Sequence, residues 1–259
     1  MKFSRHENLA QALKKAEKEC IAIEQISKEN TDLTVDDAYK IQLINIEREL
    51  ADGKKVTGKK IGLTSLVVQN MLGVNTPDFG HLLDSMEVKN NTIQINTMLQ
   101  PKVEGEIAFV LKEDVKGPDA TAEDVLNATE YVAAAIEIVD SRIKDWKIGL
   151  IDTVADNASS GMYVISDKRI DPKTIDLKNI EMNLYKNNEK INSGLGSAVL
   201  GNPAFSVAWL ANALSKYGVV LKKGEVVLSG ALSGMLTAEK GNEYTANFSE
   251  LGSISVKFE

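Results

Sequence analysis

The sequence predicts an α+β fold, with helices gathered at the amino terminus and a β-rich body after them. Three observations carry this. Over the first 52 residues or so, apolar side chains recur at helical spacing. From Lys55 onward they collect in short runs broken by Gly, Asn and Asp. Strands neither alternate strictly with helices nor repeat at a fixed period. The expected division is a helical layer, residues 1–54, and a β-rich catalytic core, residues 55–259, packed as one unit.

The elements follow in order. Leu9, Leu13, Ala16, Cys20 and Ile23 share one helical face among Lys and Glu. Thr34 is placed to cap a second helix, with Asp36 and Asp37 in its first turn, where the helix dipole favours acids. Ala38, Ile41, Gln42, Ile44 and Ile46 continue it, and Gly53 marks its end. Strands are predicted at 55–62, 93–96, 104–111, 131–139, 161–165, 180–186, 225–230, 243–248 and 253–258. Asn187-Asn188 reads as a hairpin turn leading into 189–192. Three helices interrupt the strands. One spans 65–72 and ends at Gly73; one spans 122–128 after Thr121. The third spans 203–217, with Asn202 as cap, Pro203 in the first position and Gly218 as the stop.

Composition removes several classes of function. The 259 residues can bury a core without a disulfide or structural metal. No uncharged apolar run approaches the ~18 residues of a membrane span. The stretch from Met1 to Cys20 lacks the apolar segment of a secretory signal. Cys20 is the only cysteine, which excludes intramolecular disulfides and Cys-x-x-Cys zinc sites and fits a reducing cytoplasm. The formal net charge of −7 argues against nucleic acid and anionic membrane partners. With His6 and His81 as the only histidines, a Ser-His-Asp triad or a His-rich zinc site is hard to build. Neither Gly-rich phosphate motif is present. Carboxylates, lysine and a hard metal ion remain.

Six segments carry candidate chemistry. In Pro101-Lys102-Val103-Glu104-Gly105-Glu106-Ile107, strand geometry puts Glu104 and Glu106 on one face. Such a pair repels unless solvated on an edge strand or joined by a cation. Glu137 lies inside the apolar run Ala133-Ala134-Ala135-Ile136-Glu137-Ile138-Val139. Burying it requires a salt bridge, for example to Arg142 or a lysine, or a metal. Three such carboxylates together would form an oxygen site for Mg²⁺ or Mn²⁺. Lys60, in Lys59-Lys60-Ile61-Gly62-Leu63-Thr64-Ser65, is either a surface lysine or a cation that binds an anion or moves a proton. Asp78 falls in Pro77-Asp78-Phe79-Gly80-His81, which also reads as an ordinary turn, with His81 structural. Asp152 to Gly161 is a loop or helical turn rich in polar donors. Ser229-Gly230-Ala231 ends a strand with small residues, either as turn glycine chemistry or to let backbone approach a ligand.

Taken together, Lys60 to Ser65, Pro77 to Gly80, Glu104 to Ala108, Glu137 to Arg142 and Asp156 to Ser160 closely resemble the 2-oxopent-4-enoate (2-hydroxypentadienoate) hydratases. Their neighbours are the 4-oxalocrotonate decarboxylases; both belong to the fumarylacetoacetate hydrolase superfamily. The resemblance runs from the first helix to Leu251–Val256. It implies a mixed β-roll or sandwich core with N-terminal helices and a divalent metal, Mg²⁺ or Mn²⁺, on Glu104, Glu106 and Glu137. It implies acid–base or substrate-binding roles for Lys60 and Asp78, and substrate contacts at Phe79, Ser160, Ser229 and Gly230. Gly105 departs from the Ala or Val commoner between the two glutamates. The stretch from Arg142 to Asp156 and the Ser229-Gly230-Ala231 run resemble hydratases acting on the short monocarboxylate more than decarboxylases.

The expected activity is therefore hydration of 2-hydroxypenta-2,4-dienoate to 4-hydroxy-2-oxopentanoate in aromatic meta-cleavage catabolism, carried out in the cytoplasm. A 4-oxalocrotonate decarboxylase, or a non-catalytic subunit of such a complex, is the alternative. The resemblance also suggests a homo-oligomer and a complex with a pathway enzyme. Alternation along the strand sends Lys59 away from the pocket, as an exposed lysine of little consequence.

Overall fold

Capping side chains fix where the helices begin. The computed structural model describes residues 4–66, 69–70 and 73–259. Its helices are α1 (Arg5–Glu19), α2 (Ile26–Glu29), α3 (Val35–Ala51), α4 (Ala122–Ala128), α5 (Leu150–Ala155) and α6 (Pro203–Ser215). Ser4, Thr34 and Thr121 each accept a backbone N–H three residues on, and Glu7, Asp37 and Asp124 return the bond. Asn202 and Pro203 open α6 as the sequence predicts. α1 stops short of Ile23 because Cys20 turns left-handed at φ 52°. Ile23 instead bridges to Ile143. α6 ends at Ser215, two residues early, and Gly218 takes φ +69° beyond it. The helix expected at 65–72 lies partly outside the described residues.

The strands are β1 (Val56–Gly62), β2 (Asp78–Leu83), β3 (Thr92–Ile93), β4 (Lys102–Leu111), β5 (Thr129–Val139) and β6 (Ser160–Ile165). They continue with β7 (Glu181–Lys186), β8 (Glu189–Leu195), β9 (Val226–Ala231), β10 (Leu236–Thr237), β11 (Glu243–Phe248) and β12 (Gly252–Phe258). β2 and β10 are not predicted from sequence. Pro77-Asp78-Phe79-Gly80 carries turn chemistry, yet β2 is buried throughout. Gly80 fits there because Asn157 O and Ser160 Oγ stand where a side chain would be, 2.3 and 2.8 Å from a β-carbon. The strand expected at 93–96 shrinks to Thr92–Ile93, and Ile95–Thr97 forms a 3₁₀ turn. Asn187 and Asn188, at φ 48° and 69°, make the expected hairpin turn.

Two sheets result. The larger runs β2-β1-β9-β4-β5-β6, with β10 paired to β4; the smaller runs β3-β12-β11-β7-β8. The larger sheet curls until Val88, just past β2, donates to Tyr163 O of β6 at 2.9 Å. One face packs into the main core with the helices and the second sheet. Gly105 belongs to this face: Met182 Sδ and Cε of β7 stand 3.0 Å from where its β-carbon would be. A glycine between the two glutamates thus makes room for a methionine from the other sheet.

The inner face carries a separate cluster of Leu82, Ala108, Ala135, Tyr163 and Leu228. Residues two apart on a strand share a face. Asp78 therefore stands with Leu82, Glu104 and Glu106 with Ala108, and Glu137 with Ala135. The register Lys60↔Gly80 and Gly62↔Asp78 adds Lys60 to the same side. Five charged groups thus line the inner face above a small apolar floor.

Candidate active site

Strand pairing builds the carboxylate cluster. Glu104 and Glu137 are directly opposite across β4 and β5, an arrangement that is unfavourable for like charges. Each of Glu104, Glu106 and Glu137 offers an oxygen, and the three oxygens lie within 4.8 Å of one another. Glu106 and Glu137 are 1% exposed, while Glu104 is half-buried. β4 is a central strand between β9 and β5, so the edge-strand explanation for Glu104 and Glu106 does not apply. A bulge where β9 meets β4 turns the Gly230 N–H toward Glu106 Oε2, to which it donates at 2.8 Å. Gly230 sits at φ +114° with Thr64 Oγ1 2.4 Å from where a β-carbon would stand, so glycine is required there.

Lys60 Nζ lies 3.3 Å from Glu137 Oε1, with both side chains buried. The Glu137 partner is thus a lysine; Arg142 pairs with Asp156 instead. Burial would lower the Lys60 pKa, but the negative charges of Glu137, Asp78, Glu104 and Glu106 together outweigh it and hold the ammonium protonated. Burial raises the Asp78 carboxyl, against Lys60 and a 3.0 Å hydrogen bond donated by Thr153 Oγ1 to Asp78 Oδ2. Burial and the Glu137 charge push Glu104 up to about 7. Burial, then Glu137 and Glu104, push Glu106 well above the usual carboxylate range. One ammonium faces four carboxyl groups, so the cluster lacks positive charge.

Asp78 Oδ1, Glu106 Oε1 and Glu137 Oε2 are buried without a partner, and Glu137 Oε1 has only its 3.3 Å ion pair with Lys60. Orphaned buried carboxylate oxygens are costly in a folded protein. Three glutamate oxygens within 4.8 Å of one another are a hard donor set of the kind that Mg²⁺, Mn²⁺ or Ca²⁺ accepts. The residues present therefore fit a divalent ion.

A cavity of about 200 Å³ opens beside Glu104, its lining including Gly62, Leu63, Thr64, Leu232 and Met235. The other expected site residues fall at different depths. Ser229 is fully buried, and its carbonyl accepts from Ser206 Oγ at 2.7 Å. Ser160 Oγ lies against Gly80 on the Asp78 side of β2 and donates to Asn157 O at 2.7 Å. Phe79 is on the opposite face, its ring stacked on Tyr39 with centroids 4.3 Å apart. Neither Ser160 nor Phe79 lines the cavity beside Glu104. Arg142 acts as a clamp: it bonds Asp156, Asp140 O and Ser160 O, and so fixes the turn from Asn157 to Ser159.

Three functional positions escaped the sequence reading. Lys59 is buried, not exposed, and its Nζ lies 2.7 Å from both carboxylate oxygens of Glu225. Gln42 Nε2 donates to Phe79 O and Val154 O, tying α3 to β2 and α5; a glutamine within an apolar helical stripe was the signal. Thr153, in a segment noted only for its polar donors, reaches Asp78. His81 is structural as expected: with Gln42 Nε2 occupied, Gln42 Oε1 accepts from the His81 Nδ1–H at 3.0 Å.

Comparison with known proteins agrees with this architecture. The fumarylacetoacetate (FAA) hydrolase C-terminal family matches residues 73–259. The 2-hydroxyhexa-2,4-dienoate hydratase of Comamonas testosteroni is 46% identical over 97% of both chains. A 2-keto-4-pentenoate hydratase of Paraburkholderia xenovorans is 44% identical over 98% of this chain and 94% of its own. Among solved structures, 4-oxalocrotonate decarboxylase from Pseudomonas putida G7, complexed with magnesium and adipate, superposes with a TM-score of 0.95. It covers 100% of this chain and 99% of its own at 32% identity. The chain belongs to the fumarylacetoacetate hydrolase family, in the branch that holds the 2-keto-4-pentenoate hydratases and 4-oxalocrotonate decarboxylases.

Proposed function

We propose that this chain is a metal-dependent hydro-lyase that adds water to 2-hydroxypenta-2,4-dienoate to give 4-hydroxy-2-oxopentanoate. The observation that carries it is the inner-face cluster, with three convergent glutamates, one ammonium and one further carboxyl beside a cavity. The hydratase relatives, at 44–46% identity over nearly the whole chain, favour water addition over decarboxylation, whose representative shares 32%.

Glu104, Glu106 and Glu137 would hold Mg²⁺ or Mn²⁺, which when bound supplies positive charge that stabilises an anionic 2-oxygen. Lys60 adds the only ammonium of the cluster and attracts the substrate carboxylate. In the balanced reaction the 2-hydroxyl loses its proton, C5 gains one and C4 gains the water oxygen. The second proton of that water is released and C3 takes up another, so the product is a ketone. Lys60 and Asp78 carry these protons at Nζ and Oδ1. Ser229 and Gly230 act through backbone, and the Gly230 N–H orients Glu106. Phe79 and Ser160 support the strand that carries Asp78. The enzyme works in the cytoplasm on aromatic meta-cleavage products. Exposed Leu43 and Leu50, on one face of α3, support assembly as a homo-oligomer.

The test is to incubate purified protein and Mg²⁺ or Mn²⁺ separately with 2-hydroxypenta-2,4-dienoate and 4-oxalocrotonate and identify the products. The expected result is 4-hydroxy-2-oxopentanoate from the first and no CO₂ from the second. Release of CO₂ from 4-oxalocrotonate with no hydration of the dienoate would replace the reading with a decarboxylase.

A further inference from the structure

Asp78 is gripped on one side and free on the other. Thr153 Oγ1, from α5, donates to Oδ2 at 3.0 Å. Oδ1 is buried with no partner. It stands 2.2 Å from where a β-carbon on Gly62 would be, and Lys60 Nζ stands 3.4 Å from that same point. The missing side chain of Gly62 therefore lets the acid oxygen sit over the Gly62 backbone on the Lys60 side, and Gly62 lines the cavity beside Glu104. Thr153 is 4% exposed, and its segment is tied down by Gln42 bonding to Val154 O and by Asp152 accepting from Ser27.

We infer that Thr153 is a positioning residue: its hydroxyl occupies Oδ2 so that Oδ1 of Asp78 is left free over Gly62 on the Lys60 side, where the proton is exchanged with substrate. This rests on the reading of Asp78 as a proton carrier. A threonine hydroxyl has one proton to give, and in a helix it can give it to the carbonyl a turn earlier. Spending it on Asp78 instead fixes which carboxylate oxygen is left free.

The experiment compares Thr153→Val, Thr153→Ser and Asp78→Asn with the Thr153→Val/Asp78→Asn double variant, all loaded with Mn²⁺ and assayed on 2-hydroxypenta-2,4-dienoate. Thr153→Val keeps the volume and removes the hydrogen bond; kcat should fall about 10-fold or more, with KM within about 3-fold. Thr153→Ser should recover turnover to within about 3-fold of the parent, because the hydroxyl is restored. On the Asp78→Asn background, Thr153→Val should cost less than about 2-fold, since the two act as a unit. Full activity in Thr153→Val, equal losses in Ser and Val, or an undiminished loss on the Asn background would overturn the role of Thr153. Parent-level activity in Asp78→Asn would overturn the reading of Asp78 itself. Melting temperatures of all four variants separate lost turnover from lost fold.

Discussion

Lys59 and Lys60 are adjacent in sequence and both buried, yet they face opposite sides of β1 in different electrostatic settings. Lys59 meets Glu225 at 2.7 Å on both oxygens, and Glu225 also accepts from the Lys222 N–H. That pair is complete. Lys60 faces Glu137, Asp78, Glu104 and Glu106, several of whose oxygens bond nothing. A buried pair that satisfies itself is architecture; a buried cluster left short of positive charge is prepared for something that arrives. Burial alone, or the presence of lysine alone, does not separate the two cases.

The largest expected effects come from breaking the two lysines in turn. Lys60→Met should lower kcat/KM by at least ~10²-fold, the low end for losing a general acid or base. Lys59→Met should leave turnover of the folded enzyme near the parent's but cost roughly 3–5 kcal/mol in denaturant unfolding, because Glu225 is stranded. Similar activity losses in both variants at equal stability would erase the contrast.

A smaller effect sharpens the same contrast. Mg²⁺ or Mn²⁺ should stabilise the parent by about 2.7 kcal/mol at a hundred times Kd, read as a shift in unfolding midpoint. Glu106→Gln should abolish most of that shift while leaving the chelator-treated protein as stable as the parent or more so, since one repelling carboxylate is gone. An unchanged metal-dependent shift in Glu106→Gln would remove that residue from the ligand set.

The smallest effect concerns His81, the β2 neighbour of Lys59. Burial, then the Lys59 charge, lowers its pKa to about 4. The unfolded chain binds the extra proton, so stability falls as pH drops from about 6.5 to about 4, with no contribution above that window. His81→Gln should flatten the stability–pH curve between those limits. An identical slope in parent and variant would show that other groups carry the acid sensitivity.

Local chemistry wrote much of this into the sequence. Thr34, Thr121 and Asn202 announce their helices because a cap is decided within four residues. Glu104 and Glu106 announce a shared face because strand alternation is equally local. What was illegible depended on contacts between distant segments. β2 hid behind Pro77 and Gly80 because its glycine answers to Asn157 and Ser160, far along the chain. Lys59 looked exposed because Glu225, its partner, lies 166 positions away. Thr153 gave no sign of its role, since nothing in Asp152-Thr153-Val154 indicates that Asp78 is beside it. The meeting of Glu137 with Glu104 and Glu106 followed from family resemblance; residue spacing left a lysine bridge equally open, and the structure contains that bridge as well.

The turn from Asn157 to Ser159 has one further consequence. Asn157 Oδ1 accepts from the His81 N–H at 2.8 Å, and Asn157 Nδ2 donates to His81 O at 2.9 Å. The side-chain amide thus impersonates a peptide group of a neighbouring strand along the outer border of β2. Such a border otherwise offers a template to any passing extended chain. Here Asn157, held at φ 55°, covers the His81 position and Gln42 Nε2 takes the Phe79 carbonyl, without the length of backbone that a further strand would need. The curled sheet is consequently a roll with a seam rather than a closed tube. The glutamates ride on its middle, and Asp78 rides on its hem.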